Sequence, residues 1–285
     1  MVPVHSATVY PNIVPQNDLR LLDALTIKHG PTRLLARFML EGDKMARGVG
    51  LHLRLRHDFD ELLFINRKEA ARGSWYPLVD AFNPECTELT PENAFWISGE
   101  DDSGEIVITW AARIYNWIGT NLAEQARALW FGRDLGQPCV VTAPAASMIS
   151  GVTVCGGASW VRPDFRGKHL SRFIPRMGKA YACSRWPIDW SFCYIGRANV
   201  EKGLAINYGQ KNLSYSVFYP DSPRGEQVLA YTAVDDVYAD MADFLSTALE
   251  KDGSPVPSDV SSITFEHIET KTSLDGVLHG NISRS

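Results

Sequence analysis

Trp160-Val161-Arg162-Pro163-Asp164-Phe165-Arg166-Gly167-Lys168-His169-Leu170-Ser171 joins an apolar, strand-like run (Gly151 to Val161) to a helix-like run (Gly167 to Trp186). The strand breaks at Pro163, and the chain turns through Arg166-Gly167 into a helix start. The first N–H groups of a helix lack intrahelical acceptors, and the helix dipole adds positive charge there. Such a turn is therefore an anion site suited to phosphate. A phosphate held there points to a phosphorylated cofactor.

The 285 residues are 45% apolar and 21% charged. That is enough to bury a sizeable core and is ordinary for a globular chain. A formal net charge of −5 argues against a nucleic-acid partner. No window approaches the ~20 apolar residues of a membrane span, so no membrane partner is expected. Residues 1–20 hold no apolar signal core and are interrupted by Asp18 and Arg20. The five cysteines, Cys86, Cys139, Cys155, Cys183 and Cys193, are scattered, without Cys-x-x-Cys. This supports neither a disulfide framework nor a zinc site, so a cytoplasmic location and no metal are expected. Gly-x-Ser-x-Gly, the Walker-type Gly-x-x-x-x-Gly-Lys and His-Glu-x-x-His are absent, which removes several hydrolase, nucleotide and zinc-protease classes.

Along the chain, residues 18–47 read as two helices, the second starting at Pro31. Leu51, Leu53 and Leu55 alternate with polar residues as a half-buried strand, and a helix follows from Asp58 or Asp60 to about Arg72. A short helix is expected over 77–87, then a hairpin of Ala94–Ser98 and Ile106–Tyr115 around Glu100-Asp101-Asp102-Ser103-Gly104. Residues 121–131 read as a helix, and 132–150 as a loop with a short strand at Val140-Val141. After the opening motif come a strand at Ile188–Ile195, a short helix at Asn199–Tyr208, and strands at Ser214–Tyr219 and Gln227–Ala233 around a 220–225 loop. A helix from Asp235 or Asp236 to Lys251 precedes a polar tail. This order predicts one mixed sheet with helices on its faces.

Val161-Arg162-Pro163-Asp164-Phe165-Arg166-Gly167-Lys168 closely resembles the cofactor loop of the GCN5-related N-acetyltransferases, which follows that family's fourth strand. Ala198-Asn199-Val200-Glu201-Lys202-Gly203 through Ile206-Asn207-Tyr208 looks like its fourth helix. The likeness covers roughly residues 50–234 by element order and is densest over 158–185. It departs from the family at His169, where Gly is preferred, and at Ser171, where Gly or Ala is preferred. A Cβ at His169 matters wherever the backbone must take a positive φ. The resemblance implies an α/β fold with a mixed, mostly antiparallel central sheet of about seven strands, a splayed central pair and helices on both faces. It also implies an N-terminal helical extension over 1–48, an acyltransferase domain over 49–251 with an insertion at about 117–150, and a polar C-terminal tail over 252–285.

By the same resemblance, the main-chain N–H groups of Arg166, Gly167, Lys168, His169, Leu170 and Ser171 cradle the pyrophosphate of acetyl-CoA or another acyl-CoA, used as co-substrate. Pantetheine then runs beside Gly151–Val161, and an N–H near Trp160 or Val161 polarises the thioester carbonyl. Tyr208 falls where the family places a general acid for the departing thiolate; the alternative is a half-buried aromatic on the sheet. Asn199 reaches the pantetheine or caps the short helix. His169, Arg172, Arg176 and Lys179 form a basic face, whose default reading for Arg176 and Lys179 is a solvated surface. Asp189, Glu100 and His169 are weighed as general bases and none is assigned; Asp189 also reads as a strand-end residue bonded to backbone. The acceptor is expected to be a small-molecule or peptide amine, and a homodimer stays open. Two alternatives remain. One is an enzyme of the N-acyl amino acid or acyl-homoserine lactone type, using a longer acyl donor with Trp110, Tyr115, Trp117, Trp130 and Phe131 near its pocket. The other is a non-catalytic binding protein.

Overall fold

The computed structural model describes residues 19–130, 140–218 and 226–251. Its elements in chain order are β1 (Leu19–Arg20), α1 (Thr32–Gly48), β2 (His52–Arg56), α2 (Phe59–Ala71), β3 (Ala94–Glu100), β4 (Ile106–Trp117), α3 (Leu122–Trp130) and β5 (Val140–Val141). Then follow β6 (Gly151–Val161), α4 (Leu170–Arg185), β7 (Trp190–Gly196), α5 (Arg197–Glu201), α6 (Leu204–Asn207), β8 (Asn212–Phe218), β9 (Gln227–Ala233) and α7 (Val234–Lys251). The strands form one sheet in the order β1-β2-β3-β4-β6-β7-β9-β8-β5. The pair β6–β7 is parallel and the other neighbours are antiparallel. The expected fold class holds; the short strand expected at Val140-Val141 is the edge strand β5, and the two-residue edge strand β1 is added.

Two apolar layers flank the sheet. On one face α1, α4 and α7 bury Leu35, Phe38, Phe173, Met177, Val237 and Met241 against Leu53, Phe95 and Val154. On the other, α2 and the connections around it bury Phe59, Leu62 and Phe82 against Trp96, Ala111 and Phe192. Buried positions of α1 (Leu34, Leu35, Phe38, Met39, Gly42, Ala46) recur at three and four residues, as a one-faced helix requires. Asp58 caps α2, accepting from the N–H groups of Asp60 and Glu61 at 3.0 and 3.1 Å.

Several local expectations are corrected. Residues 18–47 give one helix, not two, because Leu19–Arg20 pairs with Leu55 and Arg54 of β2 instead of coiling. The helix expected over 77–87 is only a 3₁₀ turn at Asp80–Phe82. The Asn199–Tyr208 helix is broken into α5 and α6 by Gly203, at φ +81°, a left-handed conformation that Gly adopts without steric cost. The 220–225 loop and the polar tail lie outside the described residues.

One side chain ties the face of α4 to the sheet. Trp110, on β4, sits where a Cβ at Gly178 of α4 would lie 2.1 Å from its ring and a Cβ at Gly156 of β6 would lie 2.8 Å from it. In an open helix, Gly to Ala gains up to about 1 kcal/mol. Here the added methyl meets the indole, and overpacking costs roughly 1–3 kcal/mol. Gly178→Ala is therefore expected to destabilise the protein, lowering its denaturant midpoint with an unchanged slope.

Candidate active site

The parallel strands β6 and β7 pair only at Thr153–Trp190, Val154–Ser191 and Cys155–Phe192. Beyond these positions they part, while β6 runs on to Val161 and β7 to Gly196. Main-chain groups of a strand that face away from one partner need another partner or water. On the β7 side of residues 156–159 they face the opening. A cavity of about 740 Å³ lies there, lined by Gly156, Gly157, Ala158 and Ser159 of β6, by Cys193–Gly196 of β7, and by Asn199 and Tyr208. Trp75–Val79, from the connection after α2, close its other side. Cys193, Ile195 and Tyr208 belong to the layer of α6, whereas Tyr194, Trp75, Leu78 and Val79 belong to the opposite layer. The cavity thus takes its lining from both sides of the sheet.

A bulge shapes its β6 wall. Thr109 of β4 faces Trp160 and Ala111 faces Gly157, so β6 carries one extra residue between them. Ala158 takes φ +47°, and its carbonyl accepts from Thr109 Oγ1 at 2.8 Å. Bulges re-aim side chains and interrupt pairing next to functional sites. The rearrangement brings the Ser159 hydroxyl to the cavity, where it accepts from Tyr208 Oη at 3.0 Å.

After β6, Pro163–Phe165 form a 3₁₀ turn. Gly167 follows at φ +85° and His169 at φ +58°, the latter at the N-cap of α4 with no side-chain capping bond. His169, standing where the resembled motif prefers Gly, does take the left-handed conformation that makes Gly favourable. Arg166 folds back, its Nε donating to the Val161 carbonyl and its Nη2 to the Ser74 carbonyl, both at 3.2 Å. Gly167, Lys168 and His169 are exposed, Ser171 is half-buried and Leu170 is buried in the core. Trp160 is only 5% exposed; its ring stacks on Trp75 at 5.5 Å and its Nε1 donates to Ser74 Oγ at 3.2 Å.

The structure therefore gathers Tyr208 and Asn199 at the cavity, while Trp160, Val161 and residues 166–171 stand beyond the lining, toward the end of β6. Asn199 does not cap its helix: Gly196 is the N-cap of α5. Asp189 is a strand-end residue, its Oδ2 accepting from Val152 N–H at 2.8 Å. Neither it nor Glu100 lines the cavity; Glu100 is held by Arg54 at 2.8 Å and Arg56 at 2.6 Å. The carboxylates in the described lining are Glu201 and Glu226, paired with Arg197 at 3.3 and 2.8 Å. Of the aromatic group considered for a long acyl chain, Trp110 reaches the lining and Trp117 is in the core. Phe131 lies outside the described residues.

The solvated reading of Arg176 and Lys179 is overturned: they are 7% and 2% exposed. Arg176 forms a bidentate pair with Asp240 of α7 at 2.7 and 2.8 Å, and Lys179 Nζ donates to the Gly209 carbonyl at 2.7 Å. Burial pushes Lys179 down to about 8, with Asp240 opposing the shift. Burial pushes Tyr208 up to about 12, partly offset by its bond to Ser159, so the phenol stays protonated at neutral pH. Among the described residues, no helix is long and apolar enough to cross a membrane.

No protein-family model and no curated protein matches the sequence. Solved structures do resemble it. The GNAT domain of S. lividans PAT is 14% identical, the match covering 65% of this chain and 94% of that one with a TM-score of 0.36. A Vibrio cholerae spermidine N-acetyltransferase is 13% identical over 66% and 96%, TM-score 0.39. The aminoglycoside acetyltransferase AAC(6′)-Ib in complex with coenzyme A is 13% identical over 65% and 96%, TM-score 0.39. At these identities and scores the likenesses fix neither activity nor substrate for this chain.

Ser159, Tyr194 and Trp75–Val79 were not singled out in the sequence. A signal for the first was present: Gly156-Gly157-Ala158-Ser159 is a run of small residues inside a strand, which marks a bulge or a close approach. His169 offers a direct check on the loop. A left-handed non-glycine residue costs roughly 1–2 kcal/mol, and Gly returns about 0.5–1 kcal/mol of that as unfolded-chain entropy. His169→Gly should stabilise the protein by roughly 0.5–1 kcal/mol in equilibrium denaturation; a loss of stability would show that the imidazole makes a contact worth more than the strain.

Proposed function

We propose that this chain is an acyl-CoA-dependent N-acyltransferase that moves an acetyl group from acetyl-CoA to a primary amine by direct attack. The observation that carries this reading is the parting of β6 and β7 around a cavity whose β6 edge is bulged and free of β7. An extended pantetheine arm bears amide groups that match unpaired strand N–H and C=O groups. The cavity's depth through the sheet admits a donor from the α4 side and an acceptor from the Trp75–Val79 side. The turn at Arg166–Ser171 supplies the start of α4 for a diphosphate, and Lys168 adds a cation there.

Bound in this way, acyl-CoA would supply an acyl group activated as a thioester. The chain's contribution is mainly placement, which is worth up to roughly 7–11 kcal/mol of a barrier when two reactants are well aligned. A gap-facing β6 N–H from the Gly156–Ser159 stretch that lines the cavity, rather than one at Trp160 or Val161, donates to the thioester oxygen as negative charge grows on it. The amine nitrogen forms its bond to the carbonyl carbon as the carbon–sulfur bond breaks. Tyr208 Oη, at the cavity and protonated at neutral pH, donates to the departing sulfur; Ser159 accepts from it in the resting state. The amine's proton leaves to solvent, from which Tyr208 regains the proton it gave to sulfur; the carboxylates of the described lining, Glu201 and Glu226, are tied to Arg197. Asn199 stands at the cavity to meet the pantetheine.

The apolar wall of Trp75, Leu78 and Val79 favours, as a second reading, a longer acyl chain on the same donor. Comparing acetyl-CoA with octanoyl-CoA separates the two readings by their kcat/KM.

The first test is binding. Acetyl-CoA at 100 times its Kd stabilises a native protein by about 2.7 kcal/mol, so the melting temperature should rise in its presence. No shift at saturating ligand rejects the enzyme. The second is catalysis: with an amine found by a thiol-release screen of amino acids, polyamines and aryl amines, Tyr208→Phe should lower kcat roughly tenfold or more while leaving donor affinity unchanged. A variant at full rate removes the hydroxyl from the chemistry.

A further inference from the structure

Arg176 and Lys179 are two cations buried one turn apart on α4, and neither lies among the cavity's lining residues. Their donors converge on one short stretch of backbone. Arg176 Nη1 donates to the Asn207 carbonyl at 2.6 Å and Nη2 to the Ile206 carbonyl at 3.3 Å. Lys179 Nζ donates to the Gly209 carbonyl at 2.7 Å. These carbonyls flank Tyr208 on both sides.

The stretch cannot hold itself. α6 is only Leu204–Asn207, and helices far shorter than about 12 residues are unstable alone. Its fit against the cations is close: a Cβ at Gly209 would lie 2.4 Å from Asp240 Oδ2 and 2.9 Å from Arg176 Nε. Gly209 itself takes φ +66°. Asp240 of α7 fixes the guanidinium through two bonds, and the Phe244 ring lies 5.0 Å below it. On the other side of the turn, Gln210 accepts from Thr232 Oγ1 at 2.8 Å and donates to Cys193 Sγ at 3.4 Å. Lys179 is faced by Asp240 of α7, Arg176 and Cys183 of α4, and Cys193 of β7.

Buried ions contribute little or nothing to stability over well-packed apolar residues of similar size. Two cations on one carboxylate are an expensive way to pack a helix. We infer that Arg176 and Lys179 are positioning residues that clamp the Ile206–Gly209 backbone so that the Tyr208 hydroxyl stays at Ser159 and the parted strands. The inference rests on Tyr208 acting as proton donor. A reacting group must be held to about 0.5 Å, which a four-residue helix does not achieve by its own hydrogen bonds.

The test is a double-mutant cycle, using acetyl-CoA and the amine from the thiol-release screen. Lys179→Met in the wild-type background should lower kcat by roughly tenfold to a hundredfold, with KM for acetyl-CoA unchanged. In a Tyr208→Phe background the same substitution should have no further effect on kcat. In parallel, the Tyr208 Cζ resonance of ¹³C-tyrosine-labelled protein should move in Lys179→Met, reporting a changed bond to Ser159. Should Lys179→Met not fold, Asp240→Asn, which loosens Arg176 and keeps both cations, serves for the same cycle. Equal losses in both backgrounds, or an intact kcat in the wild-type background whatever KM does, overturn the clamp and leave the proton donor standing. A Tyr208→Phe variant at wild-type rate overturns the proton donor and the clamp with it.

Discussion

The structure depends on a parallel strand pair that is fastened at one end and released at the other. At the fastened end, the Asp189 N–H donates to the Val152 carbonyl at 2.7 Å, and the Val152 N–H donates to Asp189 Oδ2 at 2.8 Å. The approach is close enough that Gly151, at φ +79°, has no room for a Cβ: Asp189 Oδ2 would lie 2.3 Å from it. At the released end, β6 bulges and β7 turns directly into α5. Each strand keeps its outer neighbour past the parting, β4 for β6 on both sides of the bulge and β9 for β7 along its full length. The sheet therefore opens without losing its continuity, and only the backbone groups facing the gap are left for a ligand.

Both sides of that gap are then stiffened by different chemistry. The β6 side is held by packing: Trp110 fills the space left by Gly156 and Gly178, and Phe82 fills the space at Gly157. The β7 side is held by charge, through Arg176, Lys179 and Asp240. Aromatic rings tolerate a close, dry contact with glycine. A helix end, with its unpaired carbonyls, needs donors, and two buried cations provide them.

Much of the fold was legible from the chain, for identifiable reasons. The alternation of Leu51, Leu53 and Leu55, the hairpin around Glu100–Gly104 and the β6–α4 motif each express a local rule of period or turn chemistry, and each is found in the structure. Misread stretches were those where a distant partner outweighed local preference. Leu19–Arg20 became a strand because β2 offered an edge. Arg176 and Lys179 were read as solvated because a basic helical face usually is. Asp240 and the carbonyls of residues 206–209, which make the difference, lie 30 or more residues away in sequence. The bulge at Ala158–Ser159 was written in small residues, but its position depends on which β4 residue stands opposite. Tyr208 could be placed near the site from its motif; its partner Ser159 could not, since the two meet only after the strands have parted.

The anchoring of the tyrosine-bearing turn by α7 has a consequence for how the site is completed. Every strand bordering the gap precedes Asp240 in the chain. Asp240 arrives later, and until it does the Arg176 guanidinium lacks its counter-ion. The turn beside the gap thus waits for α7, the last described helix, which brings both Asp240 and the core side chains Val237 and Met241.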